Sequence, residues 1–144
     1  MEKWDKKFIK LSNHISDWSK DKNKKVGAVI VDSDNIVLSM GYNVIPRGCD
    51  DNDESRFERP IKYLFTEHAE RNAIYHAARH GVSLKNCKLY VTLFPCADCA
   101  RAMIQSGITK LIAPEPNLEH EVWGDHFKAA IKMMEEANIE IILF

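Results

Sequence analysis

Residues 88–113 read KLYVTLFPCADCARAMIQSGITKLIA. Lys88 to Thr92 has the composition of a strand, Pro95 starts a helix near Cys96 that ends at Gly107, and Lys110 to Ala113 is a second short strand. Strand, helix and strand in succession are the unit from which parallel sheets are built. Toward the C-terminus the alternation continues, with a helix from about Trp123 to Ala137 and a last strand from Ile139 to Phe144. Toward the N-terminus, Thr66 can cap a helix that runs to about His80 and stops at Gly81. Tyr42 to Tyr63 has no sustained period, is broken by Gly and Pro and is densely charged from Asp50 to Glu58, so a long surface loop of the functional kind is expected. Val26 to Val31 and Ile36 to Met40 flank the polar Asp32-Ser33-Asp34-Asn35 and read as an antiparallel hairpin closed by Gly41. Before it, Trp4, Phe8, Leu11, Ile15 and Trp18 mark one apolar stripe on a first helix over roughly residues 4–19, expected to lie on the sheet. This order predicts an α/β fold: a mostly parallel sheet with helices on both faces. No repeat, low-complexity tract or linker divides the chain, so residues 1–144 are expected to be one domain.

The composition excludes several classes of function. A chain of 144 residues, 45% of them hydrophobic, has a core without disulfide staples. Its formal net charge of −1 supplies no whole-molecule field toward nucleic acid or an anionic membrane, so neither is expected as a stable partner. The longest apolar runs fall far short of the ~20 residues that span a bilayer. The N-terminus opens with Glu2, Lys3 and Asp5 rather than an apolar signal core. Four cysteines in such a chain are expected to be thiols, and a cytoplasmic location follows as the expectation.

In an open α/β sheet, ligands collect at the carboxyl ends of the parallel strands, where the following helices present their N-termini. That edge gathers Asn43, Phe94 and the helix starts that carry His68 and Cys96; the start of the first strand, at Lys25, lies there too. Cys96 and Cys99 are three apart, so they point the same way on one helical turn and can share a tetrahedral zinc, with His68 as a third ligand. Three protein ligands leave one position for water, the mark of a catalytic zinc. Glu70 lies two residues beyond His68 and is placed as general base and acid. Cys-x-x-Cys alone fits a redox pair or two packed thiols equally well, and His-x-Glu alone says little. Together they form the signature H-x-E…P-C-x-x-C of zinc-dependent cytosine and adenine deaminases. Lys20, Lys22, Lys24 and Lys25 crowd the entrance to the first strand, with Arg47 a further basic candidate; the alternative is an ordinary solvated loop. His76 and His80 read as surface residues, Cys49 and Cys87 as free thiols, and Met103, Ile104, Met133 and Met134 as core or subunit contacts. Trp123, within Glu121-x-Trp123-Gly124-Asp125, carries no role that the sequence assigns.

Several stretches resemble the deoxycytidylate (dCMP) deaminases, within the cytidine deaminase superfamily, in order and spacing. They are Ser19-Lys20-Asp21, Val26-Gly27-Ala28, Gly41-Tyr42-Asn43, Pro46-x-Gly48-Cys49-Asp50-Asp51, Lys62-Tyr63, His68-Ala69-Glu70-x-Asn72-Ala73-Ile74, Tyr90 through Cys99-Ala100, and Ile104-Gln105-x-Gly107-Ile108. The resemblance covers roughly residues 4–113 and fades afterwards. It implies a three-layer α/β/α fold on a mixed five-stranded sheet, with zinc as cofactor. In the reaction it implies, zinc lowers the pKa of a water and Glu70 carries protons to N3 of the pyrimidine and to the departing ammonia. It places Asn43 on the sugar of a free nucleotide, and Asn43, Lys25 and Ala69 form the expected substrate-binding set. A homo-oligomer, hexamer or dimer, is implied, with dCTP and dTTP as effectors through the loop matching Tyr42 to Asp51; Val44 stands where a Gly is common. The competing expectations are a deaminase of another free nucleotide, nucleoside or base, a redox protein using Cys96 and Cys99, and a deaminase fold turned binding module.

Overall fold

Five strands form one sheet in the computed structural model, which describes residues 1–144. They are β1 (Gly27–Val31), β2 (Val37–Tyr42), β3 (Lys88–Val91), β4 (Lys110–Ala113) and β5 (Glu140–Leu143), in the spatial order β2-β1-β3-β4-β5. The hairpin expected of residues 26–40 is present, with Gly27 opposite Tyr42 and Val29 opposite Met40. The sheet has the expected mixed character: β1 sits between β2 and β3 and runs against both, while β3, β4 and β5 are parallel. The reversal brings the start of β1 beside the ends of β2 and β3.

Helices cover both faces. On one, α1 (Lys3–Ser16) packs Phe8 and Ile15 against Val29, Val31, Tyr90 and Ile112. On the other lie α3 (Ala69–Arg79), α4 (Ala97–Ser106) and α5 (Gly124–Glu136), which bury Ala73, Met103 and Met134 against Ala28, Ile30, Leu89 and Leu111. The three-layer α/β/α arrangement is thus as expected, and each buried large aliphatic contributes about 1.5–3 kcal/mol.

The stripe on α1 is rotated from the expected one. Trp4 and Trp18 are exposed, whereas Asp5, Ser12 and Ser16 are buried beside Phe8 and Ile15. The cause is the backbone approach of α1 to β1: a Cβ on Gly27 would stand 2.1 Å from the Ser12 carbonyl oxygen, so small residues face the sheet. Asp5 is buried because it accepts the Tyr90 hydroxyl at 2.5 Å. Helix α3 approaches β2 in the same way, since a Cβ on Gly41 would meet the Ala69 carbonyl oxygen at 2.4 Å. That close contact sets the depth at which the start of α3 lies over the sheet edge.

The expected loop from Tyr42 to Tyr63 holds more structure than its sequence pattern shows. A 3-10 helix, Glu54–Phe57, is anchored by the buried Phe57, and a one-turn helix, α2 (Lys62–Phe65), follows. Thr66 therefore ends α2 instead of capping α3, and its hydroxyl donates to the Arg56 carbonyl at 3.2 Å. His68 takes the N-cap position of α3 with extended backbone. No helix is long and apolar enough to cross a membrane.

Candidate functional site

Two helix starts converge at the end of β3. Cys96 is the N-cap of α4 and Cys99 lies in its first turn, while His68 is the N-cap of α3. Nδ1 of His68 is 3.4 Å from the sulfur of Cys96 and 3.4 Å from that of Cys99, although the cysteines stand 28 and 31 positions away in sequence. All three donor atoms lie within 4.8 Å of one another. Ligand atoms around a tetrahedral zinc, at ~2.3 Å for sulfur and ~2.0–2.1 Å for nitrogen, are ~3.5–3.8 Å apart, so these three fit such an ion. One imidazole and two thiols also form a donor set that zinc favours.

The surroundings prepare these groups. The hydrogen bond from Cys99, and then the one from His68, hold the Cys96 thiol well below its usual range, toward the thiolate that ligates metal. The same bond and burial push the Cys99 thiol up. Burial drives the Glu70 carboxyl above the usual carboxylate range, outweighing the nearby His68. A carboxyl shifted in this direction holds a proton more readily, as a group that both takes and returns one must.

Other side chains brace the donors. Glu67 Oε1 accepts the His68 N–H at 3.1 Å and the Arg71 Nε–H at 2.5 Å. Arg71 also reaches Asp98, between the two cysteines, with Nη1 at 3.4 Å from Oδ2. Asp98 is in turn paired with Arg101. Arg71 thus ties the start of α3 to the start of α4. His126, on α5, accepts the N–H of Ala97 on Nδ1 at 3.3 Å.

His68, Ala69, Glu70 and Cys96 line a cavity of about 420 Å³. Asn43 also lines it, but its amide is occupied by backbone: Oδ1 accepts the Val26 N–H at 2.9 Å and Nδ2 donates to the Lys24 carbonyl at 2.8 Å. Lys25 does not line the cavity. Neighbours on the extended approach to β1 face opposite ways, and it is Lys24 that turns inward. Arg59 and Lys62 join Lys24 there. Lys62 is paired with the fully buried Asp21 at 3.0 Å, whereas Lys24 and Arg59 have no ion pair. Arg47 lies elsewhere, 3.4 Å from His76, on a second cavity of about 800 Å³ bounded by residues of the 42–51 loop and by Arg79. His76 is half-buried, with Nδ1 2.6 Å from the Met40 carbonyl, rather than a free surface residue.

Arg59, Lys62, Tyr63 and Trp123 escaped the sequence reading as cavity residues. The first three fall in a stretch without period, and Trp123 lies beyond the last recognisable motif. The only available signal was the Lys62-Tyr63 pair.

The model of the cytidine and deoxycytidylate deaminase zinc-binding region matches residues 2–114. The chain is 40% identical over 142 residues to a protein of Aliivibrio fischeri described as an uncharacterized deaminase in the luxG 3′ region, covering 98% of this chain and 93% of that one. It is 38% identical over 116 residues to the deoxycytidylate deaminase of Homo sapiens, covering 76% of this chain and 63% of that one. Among solved structures, the dCMP deaminase of cyanophage S-TIM5 in complex with dCMP and dUMP superposes with a TM-score of 0.78 at 26% identity, over 100% of this chain and 99% of the other.

Proposed function

Because the chain belongs to the cytidine and deoxycytidylate deaminase family, we propose that it hydrolyses dCMP to dUMP and ammonia. The observation that carries this reading is one cavity lined both by His68, Cys96 and Glu70 and by Lys24, Arg59 and Lys62. The S-TIM5 relative, whose complex holds dCMP and dUMP, supports the choice of ligand.

His68, Cys96 and Cys99 would hold zinc, which when bound supplies a water of near-neutral pKa as the nucleophile. Glu70 handles the protons: of the two on the attacking water, one ends on N3 of the pyrimidine and the other on the departing amine, which leaves as ammonia. Its buried, raised-pKa carboxyl suits both halves of that transfer. Arg71 and His126 hold the two helix starts in place while this occurs. Ala69 lines the same cavity, where its small side chain leaves room for a ring. Lys24 and Arg59, free of carboxylate partners, are the cations suited to the 5′-phosphate, in place of the expected Lys25.

The second cavity fits the effector expectation, because Arg47 and Arg79 offer cations to a nucleoside triphosphate. Val44, which lines the second cavity, pairs with Glu67 in an antiparallel bridge. Its backbone lies outside the positive-φ region, so the side chain where Gly is common causes no strain. A homo-oligomer, and a reducing cytoplasm suited to four free cysteines, complete the proposal. Ammonia release from a panel of dCMP, CMP, deoxycytidine, dAMP and guanine tests the substrate, with dCMP expected to lead. Saturation curves with and without dCTP and dTTP test regulation, and zinc analysis separates the deaminase from a Cys-x-x-Cys redox protein.

A further inference from the structure

The segment after β4 folds back on itself to present one side chain. His120 Nδ1 accepts the N–H groups of Val122 and Trp123, both at 3.1 Å, and Asn117 Oδ1 accepts the Glu119 N–H at 3.1 Å. Gly124 then passes at backbone contact, since a Cβ there would stand 2.4 Å from the Leu118 carbonyl oxygen. This construction leaves Trp123 half-buried in the cavity wall. Its ring centroid is 5.9 Å from that of His68, 5.8 Å from that of Tyr63 and 5.1 Å from that of His126, with interplanar angles of 73°, 80° and 70°. Edge-to-face contacts of this kind orient aromatic rings. The indole is thus set by the His68 imidazole, by Tyr63 of α2 and by His126, which accepts the Ala97 N–H at the start of α4, yet the indole N–H makes no hydrogen bond within the chain. Unlike Trp4 and Trp18, which are exposed away from the cavity, Trp123 presents part of its surface to it.

We propose that Trp123 is the ring-binding residue of this site: its indole meets the heterocycle of a ligand brought to His68, Cys96 and Cys99, with Tyr63 bracing it from α2. This assignment rests on the deaminase reading and names the residue that recognises the base. It also gives the Trp123-Gly124 pair a function: the glycine permits the turn and the turn presents the ring.

The test uses the zinc-loaded protein with Trp4 and Trp18 replaced by Phe, which leaves Trp123 the only one of the three tryptophans; neither replaced residue lines the cavity. Saturating dUMP shifts or quenches the Trp123 emission, and deoxyribose 5-phosphate, which lacks the ring, leaves it unchanged. In the parent sequence, Trp123→Leu raises KM for dCMP about tenfold while kcat per bound zinc stays within about threefold, and Trp123→Phe restores most of the KM. Emission indifferent to dUMP overturns the proposal, as does an unaltered KM in zinc-loaded Trp123→Leu. A Trp123→Leu protein whose only defect is lost zinc also overturns it, because the indole would then merely shield His68. A parent protein inactive on dCMP refutes the substrate assignment and this inference with it; an active parent with an indifferent variant refutes the Trp123 assignment alone.

Discussion

Asn43 and Val26 are joined by a buried hydrogen bond, Oδ1 to N–H at 2.9 Å, that fixes the loop before β1 to the end of β2. The same amide holds the Lys24 carbonyl, and the Asn43 carbonyl accepts the Ser19 hydroxyl at 2.8 Å. Asn43→Ala therefore strands two backbone groups and should lower stability by about 1–3 kcal/mol, read as a lower denaturant midpoint at constant m-value. An unchanged midpoint with a raised KM would assign Asn43 to sugar binding alone.

Glu70→Gln keeps the shape of the side chain and removes its proton chemistry. The variant should bind zinc as the parent does and lose about 10²–10⁴-fold in kcat. Zinc content and turnover measured on one preparation check this, and a near-normal rate would remove Glu70 from the reaction.

Arg71→Met should loosen the metal site without unfolding the protein, because it cuts the link from Glu67 to Asp98. Losses of about 10–100-fold in metal affinity accompany such outer contacts, and competition with a chromogenic chelator measures them. Equal affinity in variant and parent would show that the two helix starts are held without the clamp.

The candidate metal-site elements were legible because each spacing is local, a His-x-Glu and a Cys-x-x-Cys at two helix starts, and because the expected sheet edge brings those two starts together. What escaped depends on long-range geometry. The exposure of Trp4 and Trp18 follows from Gly27 meeting Ser12 at backbone distance, which no periodicity along α1 encodes. Arg59 and Lys62 reach the cavity through two short helices within the stretch that read as loop. Lys24 rather than Lys25 faces inward because of a single-residue register on the approach to β1, and a cluster of lysines carries no register of its own.

Asp5 and Tyr90 make α1 sensitive to both extremes of pH. Burial opposes ionisation of Asp5, but the Tyr90 hydroxyl and the Glu2 N–H prevail and hold its pKa below the usual value. Its contribution is present above the unfolded pKa of ~3.9 and is lost as pH falls through the lower folded value. Burial first, and then Asp5, push the Tyr90 pKa up, so its contribution is full below ~10 and is lost as pH rises through the folded value. Asp5→Asn should lower stability at pH 7 and reduce the loss between pH 5 and pH 2, as followed by thermal melts. An Asp5→Asn protein as acid-sensitive as the parent would contradict this account.

The central claim, a zinc deaminase acting on a free nucleotide, is tested most directly by comparing kcat/KM for dCMP and for deoxycytidine on the zinc-loaded protein. A charge-assisted contact to phosphate is worth ~1.5–3 kcal/mol, so dCMP should exceed deoxycytidine by about one to two decades. Equal efficiency on the two would contradict the nucleotide reading even with the zinc chemistry intact.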